Sequence, residues 1–218
     1  MQTKVFDRTE IVGSEISAAA YNAIIGVTLL IGFAINYAMV KYIPAETIAS
    51  VNPLMLLISY VVCCFTGVAL FTKSDNPPVS FLGYLMVVAP FGLVINLVVS
   101  RFNPALVLSA IQATACITVI MVLLGTMYPT FFQSIARGLF VALIGTIVAE
   151  CVMIYIFNIH HTIIDYVVVL IFSGYIGYDW VRANSIPKTV DNAIDSAAAL
   201  YMDIIILFMR LLRILARR

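Results

Sequence analysis

The chain has 218 residues, of which 63% are hydrophobic and 11% charged, with a formal net charge of +1 and a mean hydropathy of +1.08. A soluble globular domain has an apolar share nearer ~45–50%, so this composition reads as an all-α polytopic membrane protein. The scattered basic residues form no stripe for nucleic acid, and the length leaves room for about seven spans of roughly 20 residues.

Residues 1–17 form an N-terminal segment with Lys4, Asp7, Arg8, Glu10 and Glu15. It lacks the basic start, short apolar centre and cleavage site of a signal peptide, so the first apolar run is expected to stay. Residues 18–218 are expected to be a single transmembrane domain. The first span covers about Ala18 to Val40 and the second about Ile48 to Phe71, separated by Lys41-Tyr42-Ile43-Pro44. The third runs from about Val79 to Val99, after a turn whose Asn76, Pro77 and Pro78 discourage a helix from continuing. The fourth runs from about Ala105 to Thr126. None of these four contains Asp, Glu, Lys or Arg. Asn22, Asn36, Asn52, Asn96 and Gln112 fall within them and read chiefly as hydrogen-bonding glue between helices, while Pro53 and Pro90 read as kinks. Cys63, Cys64, Cys116 and Cys151 lie in apolar runs without metal-ligand spacing and behave as small hydrophobes.

The acids are confined to the last three spans. The fifth, about Gly138 to Phe157, carries Glu150, and the sixth, about Thr162 to Val181, carries Asp165 and Asp179. At ~100° per residue, the 14-residue separation of Asp165 and Asp179 brings them within about 40° on one face. Asp165, close after His160-His161, reads as interfacial, and Asp179 as deeper. The seventh span, Val190 to Arg218, combines Asp191, Asp195 and Asp203 with the small run Ser196 to Ala199 and a basic end. An ionised Asp near the middle of a membrane helix costs ~2.5–3.5 kcal/mol, so each such acid should face protein or water and have a partner.

The short turn Ala183 to Lys188 makes the sixth and seventh spans antiparallel neighbours. A hairpin folded at Pro187 sets Asp179 opposite Asp195, eight residues either side. Spacing alone slightly prefers Asp195, while Asp203 lies deeper, so both pairings stay open. Two carboxylates in a poorly hydrated site do not both ionise cheaply, so such a pair retains one proton and titrates as a unit. Doubly ionised, it repels or takes up a hard cation such as Ca²⁺. The bland alternative is an acid pair that merely fastens two helices. Basic residues do not set the orientation, since each side of the membrane receives six. No internal repeat of the kind found in many transporters is visible.

Phe172-Ser173-Gly174-Tyr175-Ile176-Gly177-Tyr178-Asp179, together with Leu200-Tyr201-Met202-Asp203 and the following Ile204 to Phe208 and Leu211-Leu212-Arg213, resembles the Bax inhibitor-1 family, the transmembrane Bax inhibitor motif proteins. Helix order and length agree over nearly the whole chain, including Phe81-Leu82-Gly83-Tyr84. The resemblance implies seven transmembrane helices with the seventh central, in the inner membrane of a bacterial cell. It further implies a di-aspartyl pair, mapping to Asp179 and Asp203, as pH sensor and cation-binding site in a Ca²⁺ leak. Asp195 and Glu150 are secondary candidates without an assigned role. Some members place a basic residue near the end of the second span against the acid pair. Here that span has none, and Lys73 lies just beyond it.

On this reading the partners are the lipid bilayer, calcium and protons, with calcium as permeant or bound ion and no cofactor. The alternative implied by relatives is a stress or quality-control factor that binds a membrane protease or another membrane protein. Tyr178-Asp179 with Asp203 also looks like an intramembrane aspartyl protease dyad. That reading lacks the Gly-x-Gly-Asp motif, since Leu200-Tyr201-Met202-Asp203 stands in its place, and no enzyme activity is expected.

Overall fold

A computed structural model describes residues 14–155 and 162–217. Most of the N-terminal segment, the end of the fifth span, His160-His161 and Arg218 lie outside these residues. The described residues form α1 (Ala18–Tyr42), α2 (Ala45–Ala49), α3 (Pro53–Lys73), α4 (Pro77–Val99), α5 (Pro104–Met127), α6 (Pro129–Tyr155), α7 (Thr162–Ser185) and α8 (Val190–Leu215). Six of them, α1 and α3 to α7, are long and apolar enough to cross a membrane. Helix α8 is long enough at 26 residues, but its three Asp and two Arg make it too charged to face lipid.

Prolines set the helix starts. Asn52-Pro53, Asn76-Pro77 and Asn103-Pro104 each place an Asn at the N-cap and a Pro in the first helical turn. Proline suits that position because its missing N–H would have no intrahelical acceptor there and its φ is already helical. Asn52 Oδ1 accepts from the Leu54 N–H at 2.9 Å, and Asn103 Oδ1 from the Ala105 N–H at 2.9 Å. Pro53 therefore begins a helix and does not kink one, so the expected second span divides into the short α2 and the long α3. The same rule extends the fifth span. Helix α6 starts at Pro129, nine residues before Gly138, so the polar run Gln133 to Arg137 is its first turns and not a loop. Pro90 lies within α4.

The residues divide into two compact units. One comprises Met1–Phe102 with Ala183–Tyr201, the other Asn103–Arg182 with Met202–Arg218. In the first unit, α3 and α4 meet closely at Gly67 and Gly83. A Cβ on Gly83 would stand 2.6 Å from the Gly67 carbonyl oxygen, so only glycine allows this approach. Tyr84 donates to the Thr28 carbonyl at 2.9 Å and meets the Tyr201 ring edge-on. Asn96 closes the end of α1 by donating to the carbonyls of Met39 and Ile43 at 2.9 and 2.8 Å. The Met39 carbonyl also accepts from the Ile43 N–H, whereas that of Ile43 lies past the last turn of α1, where helix carbonyls lack an intrahelical donor. Asn36 donates to the Tyr201 hydroxyl. Asn36 and Asn96 thus act as glue, and Asn52 as a cap.

Each half of α8 is held within its own unit. Its first half buries Ala193, Ala197, Ala198 and Tyr201 completely. Tyr21 of α1 contacts Ser196 at 3.1 Å, and Ser80 of α4 donates to buried Asp191 at 2.6 Å. Leu207 and Leu212 of its second half are equally buried.

Candidate functional site

The site lies in the second unit, on α7 and the second half of α8. Glycines set the rotation of α7. A Cβ on Gly177 would run into the Phe132 ring of α6, and one on Gly125 of α5 would come within 2.9 Å of the Gly177 carbonyl oxygen. Trp180 adds a polar tie, its indole N–H donating to Thr126 Oγ1 of α5 at 2.9 Å. With that face turned to α5 and α6, Asp179 is directed at α8. Its carboxyl group lies close to that of Asp203.

Both acids are largely shielded. The Asp179 side chain is 13% exposed and Asp203 is 7% exposed. Arg182, one turn on from Asp179, places Nη1 4.0 Å from Asp179 Oδ1, the outer limit of an ion pair. Tyr175, one turn before it, lies near both carboxyls. Asp203 Oδ2 is buried with no hydrogen-bond partner among the described residues. A hydrogen bond between two carboxyl groups requires a proton on one of them. Asp195 is half-buried in the first unit, on the preceding stretch of α8.

The remaining acids form a separate constellation in the same unit. Arg210 of α8 grips Glu150 of α6 with two parallel bonds, Nη1 to Oε1 at 2.8 Å and Nη2 to Oε2 at 2.7 Å. The same Nη1 donates to Asp165 Oδ1 of α7 at 2.9 Å. Arg213 reaches Asp165 Oδ1 at 3.2 Å, and Arg217 reaches Asp165 Oδ2 at 3.1 Å. Asp165 is only 2% exposed, so it is a buried counter-ion for three guanidiniums. This network is not evident from local sequence. The available signal was the spacing of Arg210, Arg213 and Arg217, three and four residues apart on one helix face, with two acids needing partners.

Among the described residues no group of three or more His, Cys, Asp and Glu could hold a metal ion. Ca²⁺ takes six to eight oxygens. Two carboxylates fall short of a closed cage for that ion. The four cysteines are free, and Cys63 Sγ donates to the Met86 carbonyl at 3.2 Å.

The helical architecture and the acid pair on α7 and α8 accompany a match over residues 16–218 to the family described as "Inhibitor of apoptosis-promoting Bax1". The chain belongs to the Bax inhibitor-1 family. Uncharacterised membrane proteins of Streptococcus pyogenes serotypes M3 and M6 are similar to it, each 27% identical over 149 residues. The match covers 65% of this chain and 65% of each relative. With six apolar helices of spanning length, this Bax inhibitor-1 family protein is an integral multi-pass membrane protein in contact with the lipid bilayer.

Proposed function

We propose that this Bax inhibitor-1 family protein is a proton-gated cation leak pathway, with calcium as the permeant ion and Asp179 and Asp203 as sensor. The observation carrying this reading is the close approach of their two shielded carboxyl groups across α7 and α8. While one proton is shared, a hydrogen bond between them clamps α7 to α8. Once it leaves, two unit charges ~4 Å apart repel by about 4 kcal/mol at an effective dielectric near 20. That exceeds the ~1.5–3 kcal/mol of a charge-assisted hydrogen bond, so deprotonation switches the contact from attractive to repulsive. Arg182 offsets part of the repulsion, but at 4.0 Å and with a side chain 28% exposed it is a weak, screened partner. The ionised pair then offers carboxylate oxygens, Asp203 Oδ2 among them, to a hard cation. The carboxylates hold and release a proton in this mechanism, and no covalent bond of a substrate is broken.

The sign follows directly. Leak is low at acid pH, where the shared proton holds the clamp, and rises with pH as the pair loses it. Ca²⁺ flux into liposomes containing the purified protein, measured against pH, tests the reading. The wild type should show rising flux, and Asp179→Asn and Asp203→Asn should flatten the profile. Asn hydrogen-bonds without a titrating proton. An unchanged pH profile in the double variant rejects the assignment.

A further inference from the structure

Asn36 and Asn96 bond to other described residues of the bundle, whereas the amide of Gln112 on α5 is exposed and hydrogen-bonds no described residue. Helix α5 runs 24 residues from Pro104, which sets Gln112 about 12 Å along an axis of roughly 36 Å. With a hydrocarbon core ~30 Å thick, that depth is within the acyl region, where a polar group without a partner is costly. Rotation about α5 denies the amide a neighbour within the chain. The packed face carries buried Ala110, Thr114 and Gly125. At ~100° per residue, Gln112 stands about 160° from both Ala110 and Thr114.

The outward face has the spacing of a helix seam. Ala105, Ser109, Gln112, Cys116, Val119 and Leu123 recur at alternating intervals of four and three, and all six are exposed. Two helices that cross at about 20° meet along such a line. Ser109 spends its hydroxyl on the Ala105 carbonyl of its own helix at 2.9 Å, and Cys116 is a free thiol. The small residues on either side of Gln112 allow two backbones to approach until the longer amide can bridge them. Symmetry and chemistry then select the occupant. Two parallel copies related by a two-fold axis along the membrane normal set each residue of α5 against its own counterpart at equal depth. An amide both donates and accepts, so two Gln112 side chains at that axis satisfy each other. An acyl chain offers no hydrogen bond, and an unrelated helix would need a polar group at the same depth. We infer that the outward face of α5 is the interface of a homodimer, closed by a Gln112–Gln112 amide pair. It is the membrane counterpart of the single polar residue that fixes register and partner number in a coiled coil.

Fluorescence energy transfer between full chains with donor and acceptor tags, reconstituted together in liposomes and diluted with lipid, measures the association. The wild type should form a dimer. Gln112→Leu suits lipid and leaves the packed face of α5 untouched, yet it should raise the dissociation constant ~3- to 30-fold, the range of interhelical hydrogen bonds in membranes. Gln112→Asn keeps an amide on a shorter stem and should fall between the two. Oxidative cross-linking supplies the geometry. With Cys63→Ala, Cys64→Ala and Cys151→Ala in one chain, the remaining Cys116 should join two copies. The reciprocal chain, which keeps only the exposed Cys151 of α6, should stay monomeric. A wild type that does not self-associate, an association indifferent to Gln112→Leu, or cross-linking through Cys151 in place of Cys116 overturns the interface. Should the cysteine replacements prevent folding, the comparison of Gln112→Leu with the wild type, made with all native cysteines, still decides.

Discussion

Arg210→Met should be among the most damaging single substitutions in the second unit. Arg210 makes two parallel bonds to Glu150, at 2.7 and 2.8 Å, and a third to Asp165 at 2.9 Å. Methionine fills much of the volume but leaves both carboxylates without their principal cation. Breaking a fully buried ion pair by removing one partner costs about 3–5 kcal/mol. Two features reduce that figure here. The Glu150 side chain is 25% exposed, so water screens its charge. Asp165 keeps Arg213 at 3.2 Å and Arg217 at 3.1 Å. The expected loss is therefore about 2 kcal/mol, measured by reversible denaturant unfolding in detergent micelles. Neutralising the orphaned acid should restore part of it, so Arg210→Met/Glu150→Gln should be more stable than Arg210→Met alone. A double-mutant cycle isolates that coupling. Substitution of the exposed Arg101 serves as control and should cost under ~0.5 kcal/mol. A loss of under ~0.5 kcal/mol for Arg210→Met, or no rescue by Glu150→Gln, refutes the view that this network holds α6, α7 and α8 together.

Other substitutions probe the supports of the site. Gly177→Ala drives a Cβ into the Phe132 ring, which should cost ~1–3 kcal/mol; Phe132→Leu in the same chain should recover part of it, as read from thermal unfolding. Tyr84→Phe removes the donor to the Thr28 carbonyl and should lower stability by ~1 kcal/mol, with no change in the pH profile of Ca²⁺ flux. Asn52→Ala deletes a cap that accepts from two backbone N–H groups of α3. It should cost ~1 kcal/mol, and faster amide exchange confined to the first turn of α3 is the check.

Membrane residence and most helix ends are legible in the sequence because their causes are local. A run of apolar residues is excluded from water whatever it packs against, and an Asn-Pro pair starts a helix by its own hydrogen bond and fixed φ. Pro53 reads as a kink when proline is taken only as a breaker, but at the first helical position proline initiates a helix. The confinement of intramembrane acids to the last three spans was equally plain, since it is a matter of composition. What local sequence left undecided was partnership. Spacing about the turn at Pro187 favoured Asp195 opposite Asp179, and family resemblance favoured Asp203. The approach of Asp179 to Asp203 depends on the depth at which α8 runs and on the rotation that Gly177 permits α7. Arg210 and Glu150 are 60 residues apart, and Arg210 and Asp165 are 45 apart. No periodicity links charges on three separate helices, so only tertiary packing could show that Asp165 is a buried counter-ion.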